Sequence, residues 1–232
     1  RYFILAALCR GEGVVRRALA SEDTDGLLAG LETLGTILRC EGDVLRIDGG
    51  DGRFPAGGRV DIGAGGTPAR FLLAAATRAR APVEIDGTAR MRARPMSDGI
   101  RLLQELGAEI ESLGESQHLP VRVHPLPEPM ASRLVVRPTA SSQFVSALML
   151  VAPCWTEGIT IEFEGSPTSA SYLELTLDTL RTVGVGVEVD RTGSGALRSV
   201  HVPGGGISGF DVTVEADASS AIYPAILAAS IP

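Results

Sequence analysis

Leucine and other apolar residues recur at helical spacing in three separate stretches of the chain. In the first stretch the apolar positions are 27, 28, 31 and 34, and comparable runs end at positions 106 and 183. A glycine follows each run, at Gly35, Gly107 and Gly184, and glycine is favoured where a helix ends in a left-handed backbone conformation. The pattern therefore predicts three amphipathic helices, at a repeat length of roughly 70 to 80 residues.

A second, more apolar helix precedes each amphipathic one, over residues 2–9, 67–77 and 142–151. Short branched segments follow these helices at 14–19, 82–86 and 159–164. Two further strands are predicted after each glycine, within 36–48, 108–123 and 185–202. With an opening strand such as 133–137, each unit has the order β-α-β-α-β-β.

These units predict a mixed α/β (α+β) fold in which three βαβαββ repeats form one globular domain. The repeats span about residues 1–61, 62–131 and 132–208. Each is too small to bury its own apolar faces, so the three are expected to pack together. Residues 209–232 contain a strand at 210–215 and a helical stretch at 218–229. We expect them to begin a second domain that is otherwise missing.

Composition narrows the possible classes of protein. The 232 residues are 44% apolar and carry a formal charge of −7, which argues against non-specific binding of nucleic acid. We find no apolar run of the roughly 18 residues that a membrane span needs, and no signal peptide. Cys9, Cys40 and Cys154 lack zinc-ligand spacing, so we expect free thiols, a cytoplasmic location and no metal.

Three junctions between a loop and a helix carry small and hydroxyl residues. They have the sequences GAGGTPAR at 63–70, TASSQF at 139–144 and DASSA at 217–221. A helix N-terminus offers unpaired N–H groups and the positive end of the helix dipole, so anions can bind there. For any one of these junctions, helix capping alone is the better explanation.

Taken together and in this order, the junctions resemble those of the EPSP synthase family of enolpyruvyl transferases. Further matching segments are GTARMRARPM at 87–96, LPVRV at 119–123, SASYLELTL at 169–177 and EADASSA at 215–221. The resemblance implies two domains of three βαβαββ units each, an inside-out α/β barrel. It also implies transfer of the enolpyruvyl group of phosphoenolpyruvate to the 5-hydroxyl of shikimate 3-phosphate, with no cofactor.

The resemblance also implies roles for individual residues. The shikimate 3-phosphate site would contain Arg1, Ser141, Ser142, Gln143, Ser169 and Tyr172. The phosphoenolpyruvate site would contain Gly66, Thr67, Arg90 and Gln143. An arginine suits the second site because its planar guanidinium matches a carboxylate or phosphate. Both substrates are small molecules, and neither a membrane nor a nucleic acid is expected as a partner.

The sequence departs from the family pattern at two positions, with Ala64 where an Asn is usual and Ala170 where many members have Lys. The catalytic acid and base are expected in the second domain, so the fragment is predicted to be inactive alone. Glu215 and Asp217 are candidates by residue type only, and capping explains them better.

Three alternatives stay open. A UDP-N-acetylglucosamine 1-carboxyvinyltransferase shares the fold, although its catalytic cysteine has no counterpart within residues 88–94. A non-catalytic binding module of the same fold is also compatible with the repeats. A protein similar to a cyclic phosphate ester RNA ligase is the third alternative. It rests on the repeats alone, since we find no counterpart of the nucleophilic histidine of that enzyme.

Overall fold

Each of the three predicted repeats is built around a four-stranded sheet. The computed structural model describes residues 1–137, 141–216 and 221–230. The first unit contains α1 (Tyr2–Leu8), β1 (Arg10–Arg16), α2 (Glu22–Thr33), β2 (Leu38–Glu41) and β3 (Val44–Gly50). The second contains β4 (Gly58–Asp61), α3 (Gly66–Ala75), β5 (Val83–Asp86), α4 (Ala89–Arg92), α5 (Ser97–Glu105), β6 (Ile110–Ser112) and β7 (Val121–Val123). The third contains β8 (Arg133–Val136), α6 (Ser142–Val151), β9 (Ile159–Phe163), α7 (Ala170–Thr182), β10 (Glu188–Arg191) and β11 (Leu197–Val202).

The second and third sheets have the same topology. Their strand orders are β4-β5-β7-β6 and β8-β9-β11-β10, and the opening strand is parallel to its neighbour in both. The remaining pairs are antiparallel. Each unit thus has the predicted order of strands and helices.

The first sheet takes its opening strand from the other end of the chain. Strand β12 (Ser208–Thr213) pairs in parallel with β1, with Val14 opposite Asp211, and the sheet order is β12-β1-β3-β2. This segment was predicted to begin a second domain. In the structure it lies in the first sheet, at the edge of β1 that corresponds to the position of β4 and β8 in the other units.

Strand β1 also begins earlier than the pattern predicted. Residues 10–13 are glycine-rich and carry little apolar signal, but Arg10 pairs with Gly50 through the antiparallel partner β3. The strand ends before Arg17, which has a positive φ of 56°, and Leu19 lies outside it with 52% exposure. Backbone pairing with two neighbours, rather than side-chain alternation, sets the bounds of this strand.

The core lies around the more apolar helix of each unit. Most residues of α1, α3 and α6 are buried, because these helices are apolar on all sides. The helices α2, α5 and α7 bury one face and end at the predicted glycines. Gly35, Gly107 and Gly184 have φ angles of 88°, 94° and 84°, the left-handed conformation that glycine adopts without a steric cost.

One buried arginine connects the three units. Arg78 is 3% exposed and follows α3. Its Nε donates to the carbonyl of Gly52 in the first unit at 2.9 Å, and its Nη2 donates to the carbonyl of Cys154 in the third at 2.9 Å. Its Nη1 donates to the carbonyls of Leu126 and Pro127 in the second unit, at 3.2 and 2.6 Å. Four of the five N–H donors of the guanidinium are therefore bonded to backbone carbonyls, without a carboxylate.

Helix α8 (Ile222–Ser230) lies beyond β12 and has no buried residue. It overlaps the helix predicted at 218–229, whose first residues fall outside the described part of the chain. None of the helices in the described ranges combines the length and apolar character that crossing a bilayer requires.

Candidate functional site

Three helix N-termini open onto one cleft of about 450 Å³. They belong to α3, α6 and α7, so the cleft is shared by the second and third units. The residues lining it are Asp23, Ala64, Gly66, Thr67, Arg70, Arg94, Ser141, Ser142, Gln143, Ser169 and Tyr172. Seven of the predicted site residues therefore line this one cleft, namely Gly66, Thr67, Ser141, Ser142, Gln143, Ser169 and Tyr172.

Residues at the start of each of the three helices line the cleft, and the first N–H groups of a helix have no partner within it. Gly65 precedes α3, and Pro68 in its first turn has no N–H to satisfy. Ser141 caps α6, with its Oγ accepting from the N–H of Gln143 at 3.3 Å. Ser169 precedes α7 in a left-handed conformation, φ 50°, and its side chain makes no capping bond. These starts place positive dipole ends around the cleft.

A hydrogen-bonded network joins α3 to α6 across the cleft. Arg70 Nη1 donates to Gln143 Oε1 at 2.5 Å and to Ser141 Oγ at 3.2 Å. Gln143 Nε2 donates to Thr67 Oγ1 at 2.7 Å. The Arg70 guanidinium also lies over the Phe144 ring, 4.9 Å from its centroid. The network holds side chains of two different units in one arrangement.

The arginine-rich segment 90–94 divides into three different environments. Arg92 forms a two-point ion pair with Asp86, at 2.8 and 2.7 Å, and so supports the loop. Arg94 lies in the cleft against Gly66, where an added Cβ would collide with its Nη1. Arg90, the residue predicted to bind phosphoenolpyruvate, is exposed and does not line the cleft. The geometry assigns the cleft position to Arg94.

Arg1 occupies the wall of a neighbouring cavity. This cavity measures about 570 Å³ and shares Asp23 and Thr67 with the cleft. Arg1 Nε donates to Thr176 Oγ1 at 2.9 Å and Nη2 donates to the carbonyl of Tyr172 at 3.2 Å. The cavity is larger than the cleft, but more than half of its lining residues are apolar. The converging donors make the smaller cleft the candidate site.

The electrostatics of the cleft favour an anion. Burial lowers the pKa of Arg70, and the nearby positive charge of Arg94 lowers it further. Among the described residues Arg94 forms no ion pair, and Asp23 is the one carboxylate lining the cleft. Two neighbouring cations are costly to keep together, and a bound anion would relieve that repulsion.

Arg70 and Arg94 are the site residues that the sequence analysis missed. Arg70 lies three residues after Thr67 in the same helix, so it shares a face with it, and that spacing was a usable signal. Arg94 could not be separated from Arg90 by spacing alone, because the spacing does not show that Arg92 pairs with Asp86 or which of the other two arginines lines the cleft. Of the two candidate carboxylates, Glu215 lines the larger cavity and Asp217 lies outside the described residues.

Two cysteines and one acidic cluster outside the cleft could in principle be reactive or bind a metal, but both have structural explanations. Burial raises the pKa of Cys9 to about 11 and that of Cys154 to about 12, so both stay protonated at neutral pH. Glu109, Glu111 and His124 lie close enough for a metal ion. His124 Nε2 already contacts Glu111 Oε1 at 2.6 Å, and Arg122 donates to the other Glu111 oxygen at 2.9 Å. This cluster is an ion-pair network on the second sheet.

Fold and cleft together define an α/β protein of βαβαββ units with a cleft among three helix N-termini. The chain belongs to the EPSP synthase (3-phosphoshikimate 1-carboxyvinyltransferase) family, whose pattern it matches over residues 1–232. The predicted family and fold class are thereby confirmed.

Individual relatives agree with this assignment. The chain is 37% identical over 234 residues to the 3-phosphoshikimate 1-carboxyvinyltransferase of Ralstonia nicotianae, covering 96% of the chain and 52% of that protein. It is 32% identical over 240 residues to the pentafunctional AROM polypeptide of Eremothecium gossypii, covering 99% of the chain and 15% of that protein. The chain thus spans about half the length of the transferase it matches.

A solved structure shows the same fold. The EPSP synthase of Acinetobacter baumannii superposes with a TM-score of 0.79 at 24% identity, over 95% of this chain and 48% of that one. This similarity supports the arrangement of three units.

Proposed function

We propose that the cleft binds shikimate 3-phosphate and phosphoenolpyruvate, as the anion-binding part of a 3-phosphoshikimate 1-carboxyvinyltransferase. One observation carries this proposal. Three helix N-termini and two arginines surround a single cleft of about 450 Å³ whose lining contains one carboxylate. Such a concentration of donors suits two phosphorylated, acidic substrates.

The proposed division of the cleft follows its geometry. Ser141 and Ser142, at the start of α6, would hold the 3-phosphate of shikimate 3-phosphate together with Ser169 and Tyr172. Thr67, Gly66 and Arg94 would hold phosphoenolpyruvate at the start of α3. Gln143 contacts Thr67 and extends from α6, so it lies between the two subsites. Arg1 would support the first subsite through α7, because its Nη2 donates to the backbone carbonyl of Tyr172 in that helix.

In the proposed reaction the 5-hydroxyl oxygen forms a bond to C2 of phosphoenolpyruvate and gives up its proton. The bond between C2 and the phosphate oxygen breaks, and inorganic phosphate leaves. The cleft contributes orientation and stabilisation of negative charge. Proton transfer needs an acid and a base, and Asp23 is the one carboxylate in the lining.

We therefore propose that the acid and base come from the half of the family's length that this chain does not span. The chain would bind substrate without turning it over. No metal ion or organic cofactor enters the proposed reaction. Its setting would be the cytoplasm, which suits the free thiols of Cys9, Cys40 and Cys154.

Calorimetry with the 232-residue chain tests the proposal. We expect binding of shikimate 3-phosphate and phosphoenolpyruvate, and no release of phosphate when both are present. Absence of binding to a folded sample would refute the site assignment, and turnover by the chain alone would refute its incompleteness.

Arg90 in α4 and Arg94 just after it provide a matched pair of variants. Arg94→Met and Arg90→Met remove the same charge, but only Arg94 lines the cleft. We expect phosphoenolpyruvate affinity to fall in the first variant and to stay near wild type in the second. The reverse result would restore Arg90 as the binding residue and contradict the role given to Arg94.

A further inference from the structure

We propose that Arg70 is a positioning residue that sets the direction of the hydrogen bonds in the cleft, so that the Thr67 hydroxyl donates to a bound anion. This inference deepens the proposed function and rests on it only for the identity of the anion. It starts from the chain of contacts Arg70–Gln143–Thr67, with donor–acceptor distances of 2.5 and 2.7 Å.

The first step concerns the amide of Gln143. A glutamine side chain has one accepting oxygen and one donating NH2 group, and its two orientations are nearly equal in shape. A guanidinium has five N–H donors and no acceptor. Arg70 can therefore bond only to the oxygen of Gln143. This contact fixes the amide orientation and directs Nε2 to Thr67.

The second step concerns the hydroxyl of Thr67. Because Nε2 of Gln143 donates to it, Thr67 Oγ1 uses a lone pair in this bond. Its own hydrogen must then point elsewhere. Among the described residues no acceptor is bonded to that hydrogen, and Thr67 lines the cleft. The hydroxyl is thus oriented as a donor, in the same sense as the N–H groups at the start of α3.

The third step concerns the cost of holding Arg70 in place. Burial lowers its pKa, and its Nε is buried without a hydrogen-bond partner among the described residues. Stacking on Phe144 offsets part of that cost. The buried position of Arg70 is therefore explained by its hydrogen bonds to Gln143 and Ser141, two residues of the cleft.

The chain's composition makes this orientation measurable by nuclear magnetic resonance. It contains no Asn and three Gln, namely Gln104, Gln117 and Gln143. The side-chain amide region of a ¹H–¹⁵N spectrum therefore holds three pairs of glutamine signals. Gln104 and Gln117 are exposed and serve as internal references. We expect the third pair, from Gln143, to be shifted away from them, with one proton displaced by its bond to Thr67.

Three variants test the direction of the bonds. Arg70→Met should move the Gln143 pair towards the two exposed references, because the amide is released. Arg70→Lys should preserve the shifted pair, because an ammonium group is also a donor without an acceptor. Thr67→Val should move only the proton that bonds to Oγ1. An Arg70→Met spectrum with an unchanged Gln143 pair, or a Thr67→Val spectrum with both protons unmoved, would overturn the proposal.

The affinity for phosphoenolpyruvate shows whether Arg70 acts by orienting the Thr67 hydroxyl or only by its own charge. We expect Arg70→Met to weaken binding about tenfold and Thr67→Val about fivefold. If Arg70 acts through Thr67, the double variant should bind nearly as well as Arg70→Met alone. Losses that multiply would show that Arg70 acts by its charge and would overturn the inference. If the wild-type chain binds no substrate, the proposed function fails, while the amide signals still decide the role of Arg70.

Discussion

Arg78 and Arg94 are two arginines that lie in opposite kinds of surroundings, although neither forms an ion pair with a described residue. Arg78 is buried, and all of its bonds go to backbone carbonyls of the three units. Arg94 is exposed and lines the cleft, with Gly66 beside it. Arg78 supports the fold because its donors are bonded to the backbone of three units. The donors of Arg94 have no partner among the described residues and face a cleft that a ligand can enter.

The difference follows from the cost of each arrangement. Burial lowers the pKa of Arg78, and the four carbonyl bonds compensate for the water that its guanidinium has lost. Most surface arginines are instead satisfied by carboxylates, as in the two-point pair of Arg16 with Asp211. Arg94 has neither kind of partner among the described residues, so a bound anion would complete its hydrogen bonds.

The largest effect is expected for Arg78→Met. The substitution leaves four carbonyl groups from three units without a donor, and we expect it to lower the free energy of unfolding by about 3–5 kcal/mol. Chemical denaturation followed by circular dichroism measures this loss. Arg80→Met is the matched control, because Arg80 is exposed and lies two residues away. Equal stability of the two variants would contradict the linking role of Arg78.

The fold was largely predictable because its signals are local. Apolar spacing and the three glycines located the helices, since each unit must bury a similar face. The pairing of β12 with β1 was not predictable in the same way. A strand pattern shows that a segment is extended, but it does not show which of several sheet edges has a free position.

The site was predictable only in part, for a related reason. The junctions at Thr67 and Ser141 carry short motifs that predict helix N-termini, whereas Ser169 was predicted only from the family resemblance. Arg70 and Arg94 depend on contacts between units. The spacing within 90–94 does not show that Arg92 pairs with Asp86, a residue outside that segment, or which of the other two arginines lines the cleft.

A second prediction concerns Arg94, the arginine of this comparison that lines the cleft. Arg94→Met should change the free energy of unfolding by no more than about 0.5 kcal/mol, because no described residue depends on its guanidinium. Phosphoenolpyruvate affinity should fall about 10- to 100-fold, the effect of losing hydrogen bonds between charged groups. Thermal denaturation and calorimetry of the same sample separate the two quantities. A large loss of stability would make Arg94 a structural residue like Arg78.

A third prediction concerns the carboxylate that shapes the arginine-rich loop. Asp86 has a side chain only 6% exposed, and its pKa is held below the usual range, chiefly by the hydrogen bonds from Arg92. Asp86→Asn should lower the free energy of unfolding by about 1–3 kcal/mol at neutral pH.

The pH dependence follows from the sign of that shift. A carboxyl whose folded-state pKa lies below its unfolded value of about 3.9 stabilises the fold above that pH. The stabilisation is lost as the pH falls through the lowered pKa. The difference in stability between wild type and Asp86→Asn should therefore narrow as the pH falls through the range below about 4. A difference that stays constant over this range would show that Asp86 does not act through its charge.

The smallest effect is expected for Gly66→Ala, which tests the position of Arg94 without removing it. A Cβ at Gly66 would collide with Arg94 Nη1, and because that atom ends a flexible side chain, the guanidinium should move aside. Alanine is also a better helix former than glycine, so the stability of α3 should not fall. We expect phosphoenolpyruvate affinity to fall about three- to tenfold.

In the Arg94→Met background the same substitution should have almost no further effect on affinity, because the group it displaces is gone. An undiminished effect in that background would mean that the methyl group blocks the ligand directly, and that the arginine next to Gly66 is not the cause of the loss.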